Sequence, residues 1–116
     1  MNTRPQWLAA RTIIAIEPNG TERMITLRVG IPLEVSPDEW VCACTMDGYH
    51  ENLGPIHGVD AWQAIQLAFN LQHQLLGYLA EKGTKFIYAE SREPLELVEL
   101  FPHPPHSDKG LPSGDV

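Results

Sequence analysis

One stretch, Ala61 to Lys82, constrains the fold more than any other part of the 116-residue chain. Its apolar residues recur with the period of an α-helix. Asp60 is placed to accept hydrogen bonds from the free amides of the first turn, and Gln63, three residues later, completes a capping box. Gly83 follows in the position that favours a left-handed C-cap. The sequence therefore predicts one helix over residues 61–82, roughly 33 Å long.

The apolar arc of this helix is wider than a single sheet requires. Its apolar residues span about 220°, whereas a helix lying on one sheet needs little more than about 100°. Only Gln72 is polar inside the arc. The excess predicts either a sheet that curls around the helix or a second subunit that covers one flank. In the second case the chain forms a homodimer through Trp62, Phe69 and Leu76.

Strand-forming runs lie on both sides of the helix in the sequence. Pro18-Asn19-Gly20 joins the first two runs as a hairpin, because Asn-Gly readily adopts the positive φ angles of tight turns. The third run has two fairly apolar faces, which places it centrally in a sheet. Two prolines predict a loop over residues 32–38. The predicted strands are residues 7–16, 24–31, 39–47 and 85–89, with an optional short strand around residues 53–56; residues 93–101 form a short helix or an edge strand.

The order of these elements, β-β-β-(β)-α-β, predicts an α+β fold. Short connections favour an antiparallel β-sheet, here of three to five strands, packed on one long α-helix. Residues 1–101 make a single domain. Residues 102–116 are rich in proline and glycine and lack a core-forming pattern, so they are predicted to be a flexible tail. The many amide side chains of the helix argue against a membrane span.

Charge and cysteine content narrow the function further. The net charge is −7, and residues 29–80 contain no lysine or arginine, which argues against nucleic acid as a partner. An acidic surface is compatible with a basic protein partner. The two cysteines do not form a disulfide framework, and no signal peptide opens the sequence, so a cytoplasmic protein is expected.

The residues with chemical potential are few. Cys42 and Cys44 share one face of a strand, but structural zinc sites usually use wider spacings, and buried strand cysteines are common. His103 and His106 lie in the predicted tail, where they could hold a metal only adventitiously. The glycines of residues 54–58 lack the spacing and the lysine of a phosphate-binding loop. We predict no metal site and no cofactor.

The loop before the helix is the alternative site. His50, His57 and Asp47 could supply a general base there. No serine or cysteine nucleophile motif accompanies them. The alternative hypothesis is therefore a small-molecule binder or an enzyme with a pocket formed by Cys42, Asp47, His50, His57 and Asp60.

Residues 58–68 (GVDAWQAIQLA) resemble the G-[VI]-D-[SA]-x-Q-A-[LI]-x-L-A core of a family of short bacterial proteins described as a domain of unknown function. The likeness covers about residues 8 to 90 and also includes Arg11, residues 29–32, Trp40 with Cys42, and Asp47-Gly48. The resemblance implies a bacterial cytosolic protein with this element order, and it implies no activity.

Gly58 and Asp60 before a long helix are also similar to the β-β-β-α-β domain of HicB-type antitoxins. That resemblance implies a partial RNase H-like topology. The sequence shows no helical DNA-binding module after the domain, so a repressor role is not expected.

Together these features predict a small bacterial protein that acts as a non-enzymatic protein-interaction module, immunity- or antitoxin-like. Its expected partners are a second copy of the chain or a basic protein, and neither nucleic acid nor a membrane is expected.

Overall fold

A computed structural model describes residues 6–51 and 53–102 of the chain. It confirms the α+β class, with antiparallel sheets packed against one long helix. The elements are β1 (Trp7–Ile16), β2 (Glu22–Gly30), β3 (Leu33–Ser36), β4 (Glu39–Cys42), β5 (Cys44–Asp47), β6 (Ile56–Gly58), α1 (Ala61–Glu81), β7 (Lys85–Tyr88) and α2 (Leu97–Leu100).

The strands form two sheets that are joined through a bent hairpin. One sheet has the order β5-β2-β1-β7 and the other the order β3-β4-β6. Only Ala43 separates β4 from β5, and its carbonyl accepts a hydrogen bond from the Gly30 amide at 2.8 Å. β2 pairs with β5 and β3 pairs with β4, so the four strands form one long hairpin that contributes to both sheets. Consequently the free edge of β3 lies on the side where β1 pairs with β2.

Two sequence predictions about this hairpin were wrong in part. The segment 32–38 contains a strand, β3, because Pro32 and Pro37 flank Leu33–Ser36 and no amide inside the strand is lost. The third predicted strand is divided at Ala43. Its first half, β4, is central as predicted, whereas its second half, β5, lies at an edge of the four-stranded sheet.

The ends of α1 follow the predicted capping. The Asp60 carboxylate accepts a hydrogen bond from the Gln63 amide at 2.8 Å. The Gln63 side chain accepts one from the Val59 amide at 2.8 Å, one residue earlier than predicted. Lys82 is the C-cap and Gly83 has a φ of +103°, which is the left-handed conformation expected there.

The core lies between α1 and the two sheets. The helix buries a stripe at every fourth position, Ala64, Ala68, Gln72 and Leu76. The buried faces of β1 and β2 meet this stripe, as do both cysteines, which are free thiols. The buried stripe is narrower than the apolar arc of the sequence, so several large apolar side chains of α1 remain exposed.

The chain after β7 extends the sheet before it turns. The Tyr88 amide donates to the Glu93 carbonyl and the Leu95 amide to the Phe86 carbonyl, both at 2.9 Å. Residues 93–101 therefore combine a short edge pairing with the four-residue helix α2. Of the predicted tail, residues 103–116 lie outside the described residues. No helix in the described part of the chain is long and apolar enough to span a membrane.

Candidate functional site

The five residues of the alternative pocket have separate surroundings. Cys42 is fully buried, and its Sγ donates to the Gly30 carbonyl at 3.2 Å. Asp47 pairs with Arg28 at 3.2 Å. His57 Nδ1 lies 3.2 Å from Glu39 Oε2 on the outer surface. His50 is exposed and bridges to Met46. Asp60 caps α1. None of the five side chains lines the cavities beside β1, Pro18, His73 or Phe101.

The thiols are poorly suited to chemistry at neutral pH. Burial raises the pKa of Cys42. Burial, followed by the nearby Cys42 sulfur, raises the pKa of Cys44 to about 11. A thiolate, which is the nucleophile and metal ligand, is thus disfavoured at both positions. Within residues 6–51 and 53–102, no three His, Cys, Asp or Glu side chains are grouped so that they could hold a metal ion.

The helix flank proposed as an interface is exposed in two of its three positions. Trp62 is 74% exposed and Phe69 is 37% exposed. Leu76 is fully buried in the same core cluster as Phe86 and Leu95, so it packs within its own chain. Trp62 and Phe69, seven residues apart, project from the same side of α1.

The first half of β1 lacks a neighbour on one side. β7 pairs only with Ile13–Ile16, whereas β2 pairs along the whole of β1. In the described part of the chain, no strand pairs with Trp7–Thr12 on the side of β7. An exposed row of amide and carbonyl groups of this kind is a template for another strand.

The hydrogen-bond pattern identifies which groups face this free edge. Phe86 and Tyr88 direct their backbone groups to residues 92–95, so Ile87 directs its groups to Ile14. Alternation along β1 then directs the amide and carbonyl of Ala10 and of Thr12 towards the free edge.

Exposed apolar side chains are concentrated around this edge. Seven of the twelve large apolar side chains that are exposed in the described part belong to the free edges of β1 and β3, to the link after β2, or to the helix flank beside them. We call this surface the open-edge side. It comprises Trp7–Thr12, Ile31, Leu33–Ser36, Trp62 and Phe69.

A small cavity opens on the open-edge side between β1 and α1. It has a volume of about 220 Å³, and apolar side chains supply most of its wall. Arg11 is at its rim, with its guanidinium carbon 5.7 Å from the ring centroid of Tyr88. Among the described residues Arg11 forms no ion pair, whereas Arg23, Arg28 and Arg92 each form one. The cavity-lining residues are Ala9, Ala10, Arg11, Leu27, Val29, Phe69, Gln72, Leu100 and Phe101.

Sequence reasoning treated residues 7–16 as an ordinary strand and missed the free edge. A signal was present in the lengths of the predicted strands. The run at 7–16 is twice as long as the run at 85–89, so one of its edges could be covered over only about half its length. No family model, curated protein or solved structure gives a significant match to this chain.

Proposed function

We propose that this chain is a non-enzymatic protein-interaction module, immunity- or antitoxin-like, that works as a homodimer joined through the open-edge side. The observation that carries the proposal is the coincidence of an unpaired strand edge with most of the exposed large apolar side chains. Strand edges bind other strands through main-chain hydrogen bonds, while neighbouring apolar side chains supply burial.

The helix flank alone is too small to hold two copies together. With aromatic side chains of roughly 150–250 Å², Trp62 and Phe69 at 74% and 37% exposure leave about 500 Å² to bury in a dimer. A specific interface buries roughly 1,200–2,000 Å². Trp7 and Leu8, at 37% and 49% exposure, raise the total to about 800 Å². The rest of the area would come from the β1 edge and from the exposed side chains of Ile31, Leu33 and Val35.

Charge also favours this side for contact between two copies. The chain is acidic overall, so most approaches bring acidic surfaces together. On the open-edge side, residues 7–12 contain one arginine and no acidic residue, and Leu33–Ser36 contains one acidic residue, Glu34. Two copies that meet along β1 therefore bring fewer acidic groups together than they would on other faces. The acidic faces that remain outside are the surface for a basic protein partner.

The alternative, a binder or enzyme that uses the loop before α1, draws no support from the geometry. Its five residues have separate partners and share none of the cavities described above. Hypotheses of catalysis at this loop therefore rank below the interaction module.

Light scattering of the purified chain tests the proposal. The wild type is expected to have the mass of a dimer, and Trp62→Lys that of a folded monomer, because an ammonium group cannot be buried without an anionic partner. Tyr78→Lys is the matched control, since Tyr78 is exposed on the opposite flank of α1. It should remain a dimer. A monomeric wild type at high concentration would overturn the proposal.

A further inference from the structure

We infer that two copies pair their β1 strands antiparallel, with Ala9 of one copy opposite Ala9 of the other. This inference rests on the proposed homodimer and specifies its interface. A two-fold axis perpendicular to the sheet at Ala9 would join the two four-stranded sheets into one. Both copies of α1 would then lie on the same face of that continuous sheet.

The geometry of β1 limits where the axis can lie. Residues opposite each other in an antiparallel pair point to the same face, so the axis passes through a residue and not between two. The irregularity in β1 makes Leu8 an extra residue, because Ala9 faces Val29 of β2 while Trp7 faces Gly30. With the axis at Ala9, Ala10 of one copy therefore lies opposite Trp7 of the other.

The hydrogen bonds fit this register. The backbone groups of Ala10 point towards the free edge. Trp7 has the same orientation, because the neighbouring Gln6 carbonyl points to β2, where it accepts from the Ile31 amide at 2.8 Å. Ala10 and Trp7 thus form a hydrogen-bonded pair on each side of the axis. A small side chain lies opposite a large one in both pairs.

A steric limit excludes the neighbouring register. If the axis were at Ala10, Ile13 of the second copy would lie opposite Gln6. Ile13 is already paired with Tyr88, on the same edge. Tyr88 of the second copy would then occupy the place of Gln6. With the axis at Ala9, β7 of the second copy ends before it reaches Gln6, so Tyr88 and Gln6 do not clash. The unpaired half of β1 then pairs over the greatest length that β7 permits.

Electrostatic repulsion also favours Ala9. The Cα atoms of the two Arg11 residues are roughly 14 Å apart in this register, and roughly 8 Å apart with the axis at Ala10. The larger separation exceeds the Debye length of roughly 8 Å at physiological ionic strength. Repulsion between the two arginines is therefore weaker in the first register.

The register also brings Arg11 of one copy close to Trp62 of the other. Phe69 lines the cavity beside Ala9 and Ala10, and Trp62 lies roughly 10 Å further towards the helix N-terminus, the length of about three strand residues. That distance brings Trp62 of one copy to the level of Arg11 of the other, on the helix side of the sheet. An arginine and a tryptophan so placed can form a cation–π contact.

Single cysteines at adjacent positions test the register. Ala9→Cys places two thiols on the axis, where Cα atoms of a non-hydrogen-bonded pair are about 4.5 Å apart, within the range of a disulfide. Ala10→Cys is the matched control, because its Cα atoms would be roughly 8 Å apart, beyond that range. Both alanines are exposed, and both natural cysteines are buried, so they do not compete.

Mild oxidation followed by non-reducing mass analysis should convert Ala9→Cys into a covalent dimer and leave Ala10→Cys without a crosslink. Equal crosslinking of both variants, or crosslinking of Ala10→Cys alone, would overturn the register. A wild type that scatters as a dimer while Ala9→Cys fails to crosslink would overturn this inference and leave the proposed function intact. A monomeric wild type would overturn both.

Discussion

The side-chain amide nitrogen of Gln72 lies 3.0 Å from the backbone carbonyl oxygen of Arg28 and donates a hydrogen bond to it. The same nitrogen lies 3.0 Å from the carbonyl of Thr45, which faces Arg28 across the β2–β5 pair. One buried side chain thus ties the middle of α1 to two strands. This contact accounts for the single polar residue in the apolar arc of the helix.

Replacement of Gln72 tests how much this tie stabilises the fold. Gln72→Ala removes two hydrogen bonds and leaves a cavity, and we expect it to lower the free energy of unfolding by about 2–4 kcal/mol. Gln74→Ala, on the exposed face of the same helix, should change it by less than about 0.5 kcal/mol. Urea denaturation measures both. Equal effects would mean that the Gln72 contacts contribute nothing specific.

Two leucines of α1 distinguish core from surface. Leu76 is fully buried, so Leu76→Ala should cost about 2–5 kcal/mol of stability. Leu67 is exposed on the other flank, and Leu67→Ala should cost about 1 kcal/mol or less. Thermal or urea unfolding at matched protein concentration gives the comparison. A small loss at Leu76 would place this position outside the core, contrary to the structure.

Glycines before and within α1 should respond in opposite directions. A Cβ on Gly58 would lie 2.5 Å from the Ala64 amide nitrogen, and the helix backbone there cannot move aside. Gly58→Ala should therefore destabilise the fold by about 1–3 kcal/mol. A Cβ on Gly77 meets nothing within 4 Å, so Gly77→Ala should stabilise the helix by about 0.5–1 kcal/mol. In urea denaturation, Gly58→Ala should have a lower midpoint than the wild type and Gly77→Ala a higher one.

Stability should fall at alkaline pH because of Cys44. Burial, together with the Cys42 sulfur, raises its pKa from 9.0 to about 11, although a hydrogen bond with Gln72 acts in the opposite direction. Between these values the unfolded chain releases the thiol proton while the folded chain keeps it, so stability is lost as pH rises from 9 to about 11. The loss should be roughly 2–3 kcal/mol. In urea titrations at several pH values, Cys44→Ala should lack this part of the decline; an unchanged decline would contradict it.

Local rules predicted much of this architecture. The period of α1, its Asp60 cap and its Gly83 terminus are properties of adjacent residues, and so is the hairpin at Asn19-Gly20. The strand Leu33–Ser36 was missed because two prolines were taken to break it, although both lie outside its ends. The position of a proline relative to a strand end depends on where pairing stops, and pairing is not a local property.

The candidate interface could be predicted only in part, for a related reason. Helical periodicity places Trp62, Phe69 and Leu76 on the same side of α1. Other parts of the chain pack over Leu76 but leave Trp62 and Phe69 exposed. Leu76 is covered by Phe86 of β7 and by Leu95. The strand lengths indicate that β7 can cover only about half of β1, but they do not indicate which half. The position of the free edge and the exposure of Trp62 beside it could therefore not be predicted from periodicity.

The most direct test of the open-edge side as a homodimer interface is amide hydrogen exchange at Ala10 and Thr12. Their amides face the free edge, so in a monomer they are open to water, and in the dimer that of Ala10 forms a hydrogen bond with the second copy. We predict that exchange at Ala10 slows as the protein concentration rises through the dissociation constant, while exchange at Asn19 in the hairpin turn stays constant. Fast exchange at Ala10 at every concentration would contradict the account.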